Sequence, residues 1–165
     1  MQWFERRFVF DLPVELLPNV LERLRGTPAR LEERLRGVSR DVLVAKPDGT
    51  WSAQENVGHL LDLEALWIAR VEDFRMSREE LSPADLGNER THRADHNRRS
   101  IDDLLSAFRG ERERLVAQFS SLGSALDHRA RHPRLNVAMR PIDHAVFVAE
   151  HDDHHLVRIA ALIAP

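Results

Sequence analysis

The chain has 165 residues, 42% of them hydrophobic and 31% charged, with a net charge of −3. That length suits a single domain spanning 1–165 with a real core, and the balance excludes a disordered chain. The slight negative charge argues against nucleic acid as a partner, and no apolar run reaches the length of a membrane span.

The opening residues, MQWFERRFVF, lack the apolar core of a signal peptide, so a cytoplasmic location is expected. With Cys 0 the chain has no disulfide, no thiolate ligand and no cysteine nucleophile, and with Tyr 0 it has no phenolic acid. The 9 histidines are the one compositional signal that invites chemistry.

Residues 1–12 mix aromatic and charged side chains (Trp3, Phe4, Phe8, Phe10) and are expected to form an extended arm packed on the body. From Pro13, the spacing of Leu16, Leu17, Val20, Leu21 and Leu24 predicts a helix. Thr27-Pro28 reads as a fresh N-cap with proline at the first helical position, and Leu31, Leu35 and Val38 continue the pattern. One kinked helix or two consecutive pieces satisfy this stretch. A short turn over Asp41–Val44 and a Lys46-Pro47-Asp48-Gly49 loop follow.

Ser52-Ala53-Gln54-Glu55 has the form of a capping box, in which Ser52 and Glu55 satisfy each other's backbone donors. The helix it opens runs to about Met76, with Val57, Leu60, Glu64, Ile68 and Val71 along one face. Residues 77–99 are polar and irregular and form a long connection. Ser100 opens a helix to about Phe119. Residues 120–139 carry the breakers Gly123, Pro133 and Asn136, and a last helix runs from Pro141 to about Ile163. No strand-type alternation stands out, so the pattern predicts an all-α, roughly four-helix bundle with long connections.

Glu150-His151-Asp152-Asp153-His154-His155 lies inside that last helix. At about 100° per residue, Ile142, Ala145, Ala149, Leu156, Ala160 and Ile163 mark the core direction. His151 and His155 share one flank of this face, one turn apart, where two imidazoles can hold one divalent cation. His154 points away and is expected to be solvated. His144 shares the flank, but its rise of roughly 10 Å before His151 leaves it only an outer role. On the Ser52 helix, His59 sits at the rim of the apolar face and supplies the third candidate ligand. Three neutral imidazoles leave a coordination position open, as catalytic rather than structural zinc sites do. His92 and His96 form a second pair, in a stretch without core periodicity. Asp152 falls near the core direction, where a carboxylate is unexpected; it either orients a histidine or pairs with a buried arginine such as Arg70. The pattern is not His-Glu-x-x-His, so peptidase chemistry is disfavoured.

Trp51-Ser52-Ala53-Gln54-Glu55-Asn56-Val57-Gly58-His59-Leu60, followed by Val148-Ala149-Glu150-His151-Asp152-Asp153-His154-His155, resembles the DinB-like (YfiT-type) superfamily. Leu21-Glu22-Arg23-Leu24-Arg25-Gly26-Thr27-Pro28 extends the likeness toward the start. The resemblance implies an up-down-down-up four-helix bundle that forms homodimers. It also implies a divalent metal, nickel or zinc, held at positions matching His59, His151 and His155. Relatives of this kind include thiol-S-transferases that use bacillithiol or a related low-molecular-weight thiol, and a mycothiol-dependent isomerase. The isomerase replaces one histidine by glutamate, and this chain does not.

The leading expectation is therefore a metal-dependent transferase acting on a small-molecule substrate, with a low-molecular-weight thiol as co-substrate. Asp152 and His96 are the candidate acid–base residues, with His92 and Asn97 as further loop groups able to meet substrate. Two alternatives stand beside it. One is a hydrolase using metal-bound water, with Asp152, Glu55 or His96 as base. The other is a non-catalytic metal- or ligand-binding stress protein.

Overall fold

A computed structural model describes residues 3–164. Its longest helix begins where the capping box places it. Ser52 Oγ accepts from the Glu55 N–H at 3.0 Å and Glu55 Oε2 accepts from the Ser52 N–H at 2.9 Å, so two donors that a helix start leaves open are satisfied. In chain order the helices are α1 (Leu17–Leu35), α2 (Arg40–Val44), α3 (Ala53–Arg75), α4 (Glu89–Arg93), α5 (Ile101–Ser120) and α6 (Pro141–Leu162). A two-stranded antiparallel hairpin, β1 (Ala130–Arg131) with β2 (Ala138–Met139), precedes α6. This hairpin corrects the expectation of no strands; two residues per strand are too short to show alternation in sequence.

Side-chain partners set the direction of each long helix. Arg23 and Arg30 of α1 reach Glu150 and Asp153 of α6 in rising order, so α1 and α6 run parallel. Arg109 pairs with Glu32 while Arg112 reaches the Leu24 carbonyl, so α5 opposes α1. Asn56 meets His155 while Trp67 meets His144, so α3 opposes α6. The bundle is therefore up-down-down-up. Because α3 and α5 run parallel, the chain between them must travel back the length of the bundle, which explains the long connection after Arg75.

Two apolar clusters fill the two ends. One contains Leu24, Trp67, Phe74, Phe119 and Ile142; the other contains Leu31, Val57, Leu60, Phe108 and Ile159. Between them lies a charged layer that draws on all four long helices. Arg112 of α5 donates to Glu64 of α3 at 2.6 Å and to both oxygens of Asp152 of α6, and Thr27 Oγ1 of α1 donates to Asp152 Oδ2 at 2.7 Å. Arg112, Glu64 and Asp152 are all fully buried or within 1% of it. Burial pushes Glu64 up to about 7 against the pull of Arg112.

This layer explains why α1 is continuous where a break at Thr27-Pro28 is predicted. Pro28 has no N–H to give the Leu24 carbonyl, and the Arg112 guanidinium takes that carbonyl at 3.2 Å instead. Thr27 does not cap; its hydroxyl is spent on Asp152. Residues 3–12 lie against the body and begin with a short 3₁₀ turn at Trp3–Glu5 where an extended arm is expected; Met1 and Gln2 lie outside the described residues. Phe8, Phe10 and Leu12 pack on the first cluster, and Arg6 pairs with Glu150. Among the described residues no helix is long and apolar enough to cross a membrane.

Candidate metal centre

His59 comes from α3, and His151 and His155 lie one turn apart on α6, its antiparallel neighbour. Each is about 5% exposed or less, and each offers a ring nitrogen within 4.8 Å of the others. The ring centroids are separated by 4.6 to 5.4 Å. Burial pushes His59 down to about 4 against the opposing pull of Asp62, and it holds His151 and His155 well below the ordinary imidazole value, with neighbouring imidazoles and arginines adding to the effect on those two rings. All three are therefore neutral near pH 7, the form that ligates a metal.

Hydrogen bonds settle the tautomer of two rings. Thr91 Oγ1 donates its one proton to Asp62 Oδ2 at 2.9 Å, so at 3.1 Å from His59 Nδ1 it can only accept. His59 therefore carries its proton on Nδ1 and keeps a lone pair on Nε2. The amide nitrogen of Asn56 donates to the carbonyls of Ser52 and Trp51, which leaves Asn56 Oδ1 to accept from His155 Nδ1 at 2.8 Å. His155 is thus also fixed with Nε2 free. His151 Nδ1 is buried with no hydrogen-bond partner among the described residues. Three neutral imidazoles with ring nitrogens this close, two of them with the outer N–H anchored, are a donor set a divalent transition metal takes.

The support behind His59 comes from the return connection. Asp62 receives Thr91, the Nε2 of His96 at 2.8 Å, and Arg90 at 3.2 Å. Burial raises the Asp62 carboxyl, but these three partners outweigh it and hold the group below the usual range. His96 sits over Gly58, where a Cβ would lie 2.2 Å from its ring. The sequence reading missed Asp62 and Thr91. Asp62 follows His59 by three residues and so shares its face, which was the available signal.

A cavity of about 740 Å³ opens from the histidines, walled in part by Trp3, Trp51, Trp67 and Phe147. His92 of α4 stands at this wall, its ring 5.6 Å from Trp51. Of the loop groups expected to meet substrate, His92 is the one that borders the cavity. His96 faces Asp62, and Asn97 Oδ1 accepts from the Ser52 hydroxyl at 2.8 Å. Asp152 lies in the charged layer, paired with Arg112 rather than Arg70. His144 is packed among the rings of Trp67, Phe74 and Phe119. His154, expected in solvent, is partly buried and borders the cavity because the arm lays Trp3 beside it at 5.7 Å.

Topology and site together define an α-helical bundle with a candidate metal centre between its second and last long helices. Residues 23–159 match the model of the DinB superfamily, and the chain belongs to that superfamily. Among solved structures it is similar to YfiT from Bacillus subtilis, with a TM-score of 0.81 at 18% identity over 96% of this chain and 91% of that one. YfiT is described as "a probable metal-dependent hydrolase with an unusual four-helix bundle topology". At this identity the likeness carries the fold. No curated protein matches the chain in sequence at a significant level.

Proposed function

We propose that His59, His151 and His155 hold a divalent metal ion, nickel or zinc, and that the chain is a metal-dependent enzyme transferring a low-molecular-weight thiol to a small electrophile. The observation that carries this reading is a cluster of three buried, neutral imidazoles opening on a cavity where, among the described residues, no carboxylate is free to act as a base. A bound ion of this kind supplies Lewis acidity, lowering the pKa of a thiol or water brought to it.

The choice of thiol over water rests on the proton acceptors. Asp152 is tied to Arg112 and Thr27, Glu55 to Lys46 and Ser52, and His96 to Asp62. Among the described residues the one carboxylate at the cavity wall is Asp85, whose two oxygens already accept from the backbone N–H groups of Gly87 and Glu89 at 2.9 and 2.7 Å. A thiol, far more acidic than water, loses its proton without a strong base. His92 and His154 at the wall can take that proton. The sulfur then bonds to an electrophilic carbon, whose leaving group departs with the bonding pair. Trp3, Trp51 and Trp67 give the cavity an apolar wall beside the histidines.

Hydrolysis is the second reading, supported by the likeness to YfiT and by the same two wall imidazoles. Untagged protein is to be assayed for metal content, for thiol conjugation to model electrophiles, and for ester turnover without thiol. Thiol-dependent turnover that disappears with the metal in a His155→Ala variant is expected. Ester turnover alone favours hydrolysis, and full activity in a metal-free His155→Ala variant overturns both readings.

A further inference from the structure

Two arginines are almost wholly buried in this bundle, and their surroundings differ. Arg112 and Arg70 are each 1% exposed. Arg112 is neutralised by Glu64 and Asp152. Arg70 of α3 has no carboxylate ion pair among the described residues. Its Nε donates to the Ser82 carbonyl at 2.9 Å, its Nη1 faces the Nε2 of His132 at 3.0 Å, and its Nη2 has no partner among the described residues. The nearest acid in charge terms is Asp73, which is occupied by Arg78 at 3.3 Å and by the Ser82 N–H at 2.6 Å. A buried guanidinium without a counter-charge is costly, and Arg70 borders the cavity.

The neighbours of Arg70 deepen the imbalance. Among the described residues, neither the buried Nη2 of Arg134, also at the cavity wall, nor the indole Nε1 of Trp67 has a partner. His132 cannot relieve this. Its Nδ1 faces the backbone N–H groups of Arg134 and Leu135 at 3.2 Å each, while its Nε2 faces Arg70. A neutral ring has one lone-pair nitrogen, so in either tautomer a donor faces a donor. Protonation would worsen the conflict. Around Arg70 and Arg134 the N–H donors and the positive charge exceed the acceptors that face them; the unpartnered lone pair nearby, on His144, lies among the rings of Trp67, Phe74 and Phe119.

The structure assigns to Arg70, Arg134 and the Trp67 N–H the recognition of an oxyanion, a carboxylate or phosphate carried by the small molecule that enters this cavity. The Trp67 ring stands between the two sites, 5.4 Å from the Arg70 guanidinium and 5.8 Å from the His151 ring. A small molecule anchored by its anionic end can therefore present its other end to the histidines. Guanidinium groups suit this because their planar fork matches the two oxygens of a carboxylate or phosphate. This names the substrate class for the function proposed above and rests on that reading for its catalytic meaning, though the anion site itself needs no metal.

The test uses metal-free full-length protein at low ionic strength, titrated by calorimetry with succinate, inorganic phosphate and the neutral isostere succinamide. Succinate or phosphate is expected to bind and succinamide not, the tighter anion identifying the class. Arg134→Gln, at a part-exposed position that tolerates change, is expected to weaken binding at least tenfold. Arg70→Lys and Trp67→Phe are expected to weaken it less, and the exposed Arg36→Gln not at all. Equal binding of succinamide, no anion binding, or unchanged affinity in both Arg134→Gln and Arg70→Lys overturns the proposal. Failure of the metal-centre reading shows separately, in untagged protein that takes up neither nickel nor zinc when either is offered while its metal-free form still binds the anion.

Discussion

The Nδ1 of His59 lies 3.1 Å from the hydroxyl oxygen of Thr91, and this contact decides which edge of the imidazole is free. The threonine proton is committed to Asp62, so the ring must donate, and its lone pair is left on Nε2, available to a metal. Thr91→Val keeps the shape of the side chain and removes the oxygen. It is expected to leave the fold intact and to weaken metal affinity by about 10–100-fold, read by competition with a chromogenic chelator. Unchanged affinity would mean that His59 ligates through another arrangement or not at all.

Gly58 precedes His59 and accepts the ring of His96 directly over its Cα. A methyl group there would lie 2.2 to 2.6 Å from three atoms of that ring, so the ring must leave. Departure breaks the His96–Asp62 contact and overfills a packed site. Gly58→Ala is therefore expected to cost about 1–3 kcal/mol in denaturant unfolding, despite alanine's better helix propensity. A stabilised variant would show that His96 has another place to sit.

Local signals were legible in the sequence wherever they needed no distant partner. The Ser52–Glu55 box is a four-residue motif, and it fixed the start of α3. The i, i+4 relation of His151 and His155, with His59 at the rim of another apolar face, brought together three side chains that the fold does cluster. What could not be read depends on the path of the chain in space. Pro28 sits inside a helix because Arg112, 84 positions later in the numbering, takes the Leu24 carbonyl. Thr91 and His96 support His59 because the connection between two parallel helices must return along α3. Asp152 was recognised as out of place in an apolar face, yet its partner could have been any buried arginine, and Arg112 rather than Arg70 holds it. His154 stands at the cavity wall beside Trp3, whose place against α6 the helix wheel does not show.

Asp152 joins four helices through Arg112 and Thr27, and its role can be separated from chemistry by one variant. Asp152→Asn leaves Arg112 with Glu64 alone in a region without water-exposed surface. Breaking a buried pair of this kind is expected to cost about 3–5 kcal/mol in unfolding free energy. Metal content per folded molecule should not change. A variant of wild-type stability that has lost turnover would instead give Asp152 a part in the reaction.

His132, outside the metal cluster, predicts a pH dependence. Burial, with the charges of Arg70 and Arg134, pushes it down to about 3, against 6.5 for an ordinary imidazole. The unfolded chain therefore takes up a proton below pH 6.5 that the folded chain refuses until far lower, so stability is full above 6.5 and falls as the pH drops toward 3. At pH 5 this group alone costs about 2 kcal/mol. Fully buried His144 acts in the same sense. Glu64, pushed up to about 7 by burial, acts in the opposite one, gaining stability as the pH falls from 7 toward 4.5. A bare pH profile sums these groups, so the contribution of His132 is isolated by difference. In a His132→Asn variant the new amide oxygen can still accept the Arg134 and Leu135 N–H groups, and the side chain does not titrate. Between pH 8 and pH 5 that variant is expected to lose about 2 kcal/mol less stability than the wild type, measured by urea unfolding at both pH values. Identical losses in the two proteins would mean that His132 accepts its proton in the folded state, with Arg70 already facing an anion.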